Sequence, residues 1–209
     1  GPVSKQKRAR HERGNATVDS SRATELILIR HAPAITGGRL CGRTDVAADL
    51  GDGPAVDALR HMLGEPDHVW CSPALRCRQT LNALWPGKVA REDGALWEQH
   101  FGEWEGRAHA DIPDIGPLSG QALAAHRPPS GESFVDLCRR AGPAIERAAD
   151  HPGRVAIVAH AGIVRAALAL ALGDPAAALV FDVSPLSATR LRPLPGKAFG
   201  VISVNWTPQ

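Results

Sequence analysis

The stretch Glu25–His31, ELILIRH, decides how the rest of the chain is read. Its four consecutive aliphatic residues, two of them isoleucine, describe a short strand buried on both faces of a sheet. The run ends in Arg30 and His31, and Pro33 stops the strand soon after. In an open α/β sheet, ligands gather just beyond the carboxyl ends of the strands. A cation and an imidazole at that spot do nothing for a core. His31 is therefore read as a nucleophile, and Arg30 as the group that holds an anion in front of it.

Working outward, two further strands end in the same way. His68–Ser72 (HVWCS) is a short strand, and Pro73 after it opens a helix with Ser72 in the capping position and Arg76 one turn on. Gly153–Ala159 (GRVAIVA) is another strand, followed directly by His160. The helices between them show apolar residues at helical spacing. Pro54–Leu63 carries Val56, Leu59 and Leu63, with Asp52 as candidate cap. Glu132–Ala149 carries Phe134, Leu137, Ala141 and Ile145, with Pro143 as a candidate kink. Ala161–Leu172 is rich in Ala and Leu and closes at Gly173. Asp111–Pro129 reads as an irregular excursion with one short helix. Ala188–Leu191 and Gly200–Val204 read as further strands. Strands alternating with helices of this length predict an α/β fold: three layers, a mainly parallel mixed sheet with helices on both faces. If the strands are parallel, Arg30, His31, Ser72, Arg76 and His160 share one sheet edge. Two arginine forks and the positive end of the Pro73 helix then make a pocket suited to a dianion, and phosphate uses more of those donors than a carboxylate does.

The bulk properties narrow the class. The 209 residues suffice for one well-buried α/β domain, and a net charge of +2 is too small to imply a nucleic-acid partner. Cys41, Cys71, Cys77 and Cys138 form no CxxC and no zinc spacing, so they read as reduced thiols of a cytoplasmic protein with no metal site and no cofactor. No apolar run is long enough for a membrane span or a signal-peptide core, so no membrane partner is expected. Gly1 and Pro2 read as a tag remnant, and Val3–Arg22 as a basic flexible tail, so residues 1–23 are set apart from one domain over 24–209.

The ordered set ILIRH, SPALRCRQT (Ser72–Thr80), WEQHFGEWEG (Trp97–Gly106), GES (Gly131–Ser133) and VAIVAHAG (Val155–Gly162) resembles the histidine phosphatase superfamily, in its phosphoglycerate mutase-like branch. The motifs span nearly the whole chain after Ala23. The resemblance implies that His31 is transiently phosphorylated, that Arg30 and Arg76 clamp the phosphoryl oxygens, and that His160 is the second pocket histidine. It implies that Glu98 protonates the leaving oxygen and later activates water, so that Glu98 must begin protonated. Arg43, in GRTD, falls in a loop that often adds a phosphate contact, while Glu105, Gly106, Glu132 and Ser133 stand behind the reacting groups. Ala32, Pro33 and Gly37 depart from the usual pattern, which commonly has Gly and then Glu or Gln after the first histidine and an Asn six residues past it.

The segment between Gly106 and His160 is shorter than in the family's mutases, which favours a phosphatase. The segments GRLCGRTD and LWEQHFGEWEG look most like α-ribazole phosphatases of cobalamin assembly and small broad-specificity phosphatases. The expected activity is metal-independent hydrolysis of a small sugar- or nucleotide-like phosphate ester, by a monomer or a homodimer. A mutase and a phospho-ligand binding module are the alternatives. Trp97, Phe101 and Trp104 either wall a substrate base or sugar or pack their loop onto the core.

Overall fold

A computed structural model describes residues 24–208 of the chain. The expected basic tail, residues 1–23, lies outside the described residues. Six strands form one sheet: β1 (Glu25–Arg30), β2 (His68–Cys71), β3 (Arg91–Glu92), β4 (Arg154–Ala159), β5 (Ala188–Leu194) and β6 (Ala198–Trp206), in the spatial order β3-β2-β4-β1-β5-β6. The pairs β1–β4, β2–β4 and β2–β3 are parallel, whereas β5 and β6 join antiparallel at the β1 edge. The mixed, mainly parallel sheet expected from the alternation of elements is thus observed.

Side-chain alternation along the strands builds two cores. Leu26, Leu28, Val155 and Ile157 face one side, where they meet Leu137, Ala141 and Ile145 of α4 (Phe134–Ala149) and Ile163 and Leu168 of α5 (Ala161–Leu172). Ile27, Ile29, Ala156 and Val158 face the other, against Val56, Leu59 and Leu63 of α1 (Pro54–Leu63) and Leu81 and Leu84 of α2 (Leu75–Leu84). Double-sided burial is why β1 and β4 read as unbroken apolar runs rather than alternating ones. The short helices α3 (Gly120–Ala125) and α6 (Pro175–Ala178) lie in the connections.

Three helix starts differ from, or refine, the sequence expectation. Helix α1 begins from Gly53, at φ 98°, and has no side-chain cap; Asp52 stands one residue too early because Pro54 occupies the first turn. Helix α2 begins two residues after Pro73, with Ala74 rather than Ser72 at its N-cap. There the Leu75 N–H donates to Asp45 Oδ1 at 2.8 Å, so the helix is capped from the distant GRTD loop. Helix α4 runs unbroken through Pro143 and starts in a capping box: Asp136 N–H donates to Ser133 Oγ at 3.0 Å and Ser133 N–H to Asp136 Oδ2 at 2.9 Å. Ser133→Ala is expected to lower unfolding stability by about 1 kcal/mol, read as a fall in the urea midpoint at unchanged slope; an unaltered midpoint contradicts the capping role.

Candidate active site

The parallel core of the sheet carries its three polar strand ends to one edge. The His31 N–H donates to Ala159 O and the Ser72 N–H to Val158 O, both at 3.0 Å, so the residues leaving β1, β2 and β4 stand side by side. The His31 and His160 rings meet edge to face with centroids 5.2 Å apart, although the chain separates them by more than half its length. Arg30 and Arg76 stand close enough to both rings to act on their charge.

Each group is fixed by its surroundings. His31 is 5% exposed, and its Nδ1–H donates to the Ala32 carbonyl at 2.6 Å, which leaves Nε2 as the free lone pair. Burial, reinforced by the Arg76 and Arg30 charges, pulls the His31 imidazole down to about 4, so the ring is neutral near pH 7. The turn after it is tied down by the Ala32 N–H donating to Thr80 Oγ1 at 2.9 Å. His160, fully buried, is held well below the ordinary histidine range by burial first and then by Arg76, His31 and Arg30. Its Nε2 lies 2.9 Å from Ser72 Oγ, and the Trp97 ring stacks on it at 6.1 Å. Cys77 Sγ lies 3.5 Å from the same nitrogen, and burial pushes that thiol well up, so it stays protonated.

The two arginines are spent unequally. Arg76, 2% exposed, donates to Gly42 O at 2.8 Å and Thr44 O at 3.2 Å, which binds the GRTD loop to the pocket. Arg30 donates from Nη1 to Val183 O, while its buried Nε–H has no partner. A buried, unpartnered guanidinium N–H beside a neutral imidazole is a donor set without its acceptor, and an oxyanion supplies one. Two of the backbone donors at the start of the Pro73 turn are engaged within the protein: Ala74 N–H goes to Ser72 Oγ at 3.3 Å and Leu75 N–H to Asp45.

Glu98 stands at the N-terminus of α5, where its Oε2 accepts the Gly162 N–H at 3.2 Å and its Oε1 accepts the Gln99 N–H at 2.9 Å. A Cβ on residue 162 would come within 2.1 Å of Glu98 Oε1, so only glycine admits the carboxylate there. Arg43 donates from Nε to Glu98 O at 2.9 Å, pairs with Glu132 at 3.5 Å and lies over the Trp97 ring. Glu105 accepts the N–H groups of Gly42, Arg43 and Thr44, so the two loops are buttoned together. Burial pushes the Glu105 carboxyl up, but the Thr44 hydroxyl and these N–H donors outweigh it and hold it below the usual carboxylate range. Gly37, at φ 63°, forms an exposed turn and contributes no side chain.

All six sequence-named side chains, His31, Arg30, Arg76, His160, Glu98 and Arg43, therefore belong to one connected site. The aromatic loop divides. Trp97 packs on His160 and against the core, whereas Trp104 stacks on His126 at 5.5 Å. Sequence reasoning missed Asp45 and Arg140. Arg140 stands beside the apolar stripe Leu137, Ala141 and Ile145, next to the exposed Arg139, so no local signal sets it apart. A groove of about 760 Å³ beside Pro33 and Leu186 holds none of these groups. Among the described residues, no three His, Cys, Asp or Glu side chains cluster as a metal site, and no helix is long and apolar enough to cross a membrane.

Residues 26–207 match the model of the histidine phosphatase superfamily, branch 1. A glucosyl-3-phosphoglycerate phosphatase of Mycobacterium tuberculosis is 34% identical over 176 residues, covering 75% of this chain and 78% of the relative. One of Mycolicibacterium vanbaalenii is 30% identical over 172 residues, covering 74% and 76%. The solved structure of a mycobacterial glucosyl-3-phosphoglycerate phosphatase superposes with a TM-score of 0.75 at 29% identity, over 89% of this chain and all of the other. An α-ribazole phosphatase from Shigella flexneri shares the fold, with a TM-score of 0.72 at 22% identity over 87% of this chain and 96% of the other.

The buried imidazole gives the site a pH signature. Between about 6.5 and about 4 the unfolded chain holds a proton on residue 31 that the folded chain does not. The stabilising contribution is complete above that window and is lost as pH falls through it. Urea denaturation at about pH 7 and about pH 4 should show the fall, and His31→Asn should make it smaller while His160 keeps its own share; an equal slope in both proteins contradicts the assignment.

Proposed function

The chain belongs to the histidine phosphatase superfamily and is a phosphatase, and from that premise we propose that it hydrolyses a small phosphate monoester through a phosphohistidine at His31. The observation that carries the reading is the neutral His31, its Nδ1–H fixed on Ala32 O and its Nε2 free, beside the unpartnered Nε–H of Arg30. Nε2 attacks phosphorus in line; the N–P bond forms as the bond to the ester oxygen breaks. Arg30, Arg76 and His160 meet the charge on the equatorial oxygens, with Arg43 at the rim. Glu98 gives its proton to the departing oxygen, and its carboxylate then takes one from the water that attacks the phosphohistidine. These cationic and hydrogen-bonding groups supply charge stabilisation that needs no divalent ion.

For the substrate, the relatives at 30% identity or more favour a glycosylated phosphoglycerate, here proposed as glucosyl-3-phosphoglycerate. Support for α-ribazole 5′-phosphate is limited to a structural likeness at 22% identity, which speaks to the fold alone.

Purified protein assayed on a panel of phosphate esters tests the reading. His31→Ala should abolish phosphate release, and EDTA should leave turnover unchanged; retained activity in the variant, or loss restored by a divalent ion, overturns it. Glu98→Gln should lower kcat/KM about a hundredfold on alkyl esters while sparing kcat/KM on p-nitrophenyl phosphate, whose leaving group needs no proton; the shared hydrolysis of the phosphohistidine enters kcat instead. Equal damage on both esters denies Glu98 the acid role.

A further inference from the structure

Arg140 touches none of the reacting groups, yet the segment that carries Glu98 is built around it. It projects from α4 and is half-buried, like its partner Glu132. Its Nη1 donates to Ala95 O and Trp97 O, each at 2.8 Å, and its Nη2 reaches Glu98 O at 3.4 Å. Its Nε and Nη2 hold Glu132 Oε2 and Oε1 as a fork, both at 2.9 Å. Glu132 in turn accepts the His100 N–H at 2.9 Å through Oε1 and the Gln99 side-chain amide at 2.7 Å through its backbone carbonyl. Both sides of Glu98 are therefore held: Ala95 and Trp97 directly by the guanidinium, Gln99 and His100 through its carboxylate partner. Burial pushes the Glu132 carboxyl up, but Arg140, the His100 N–H and Arg43 outweigh it and keep it ionised.

We propose that Arg140 is the positioning residue of the proton donor, fixing the backbone from which Glu98 reaches the N-terminus of α5 and Trp97 stacks on His160. The role rests on Glu98 being the acid of the reaction proposed above. Its planar fork engages three carbonyls and one carboxylate together, which a lysine ammonium on a flexible stem does not match. Removing it leaves those carbonyls and Glu132 short of donors and lets the loop shift, and an acid displaced by about 1 Å loses on the order of a hundredfold in rate. The loss has a chemical signature. In kcat/KM, which reports the steps up to the phosphohistidine, only esters whose leaving oxygen needs a proton should suffer, because His31, Arg30 and Arg76 are held by other elements.

The test compares kcat/KM of wild type, Arg140→Lys and Glu132→Gln on β-glycerophosphate and p-nitrophenyl phosphate. Arg140→Lys should lose about tenfold to a hundredfold on the alkyl ester and less than about threefold on the aryl ester. Glu132→Gln should shift the same ratio in the same direction by a smaller factor, which keeps the proposal testable should Arg140→Lys fold poorly. Equal losses on both esters, or no loss on either, in protein whose wild type is active overturn the role of Arg140 alone. A wild type that hydrolyses neither ester overturns the assigned reaction and the role together.

Discussion

Two guanidinium groups and two neutral imidazoles share one nearly dry volume at the carboxyl edge of a parallel sheet. Charged groups taken out of water need partners, and the fold gives these arginines backbone carbonyls first: Val183 for Arg30, Gly42 and Thr44 for Arg76. Those bonds orient the cations without neutralising them. Burial, together with the charge of these arginines, keeps both histidines unprotonated, so an unprotonated nucleophile and a positive cradle coexist. An incoming phosphoryl dianion meets both requirements at once, and the rest of the structure serves to hold this arrangement in place.

The topology explains how residues far apart in the chain reach that volume. Strand β4 enters last among the parallel strands and pairs with β1 on one side and β2 on the other. The helices α1 and α2 cover one face and α4 and α5 the other, which is the doubly wound arrangement whose ligand crevice opens beyond the strand ends. Glu98 comes from outside the sheet. It is brought in by a loop strapped to α4 and seated on α5, where glycine at 162 is the condition for its approach.

Much of this was legible because its signals are local. ELILIR and RVAIVA are buried on both faces and are therefore apolar without interruption, and the polar residue that ends each run marks the site. His31, Arg30, Arg76 and His160 follow from that pattern once the sheet is parallel. Glu98 and Arg43 were found only by resemblance, since no periodicity marks a loop. What stayed hidden depends on long-range pairing. Asp45 caps a helix thirty residues on, and the Ser72 hydroxyl lies against His160, a contact across 88 residues of chain. Arg140 reads as one more surface cation until the loop carbonyls it gathers are in view. The α-ribazole leaning drew on loop segments whose residues the fold uses largely to button loops together, as Glu105 does.

The account stands most directly on the covalent intermediate. Protein mixed with an activated aryl phosphate, quenched in denaturant at alkaline pH within the first turnover and digested, should yield one phosphorylated peptide, with the phosphoryl group on His31. Phosphate release with no phosphohistidine, or with the label on His160 or a serine, would contradict it.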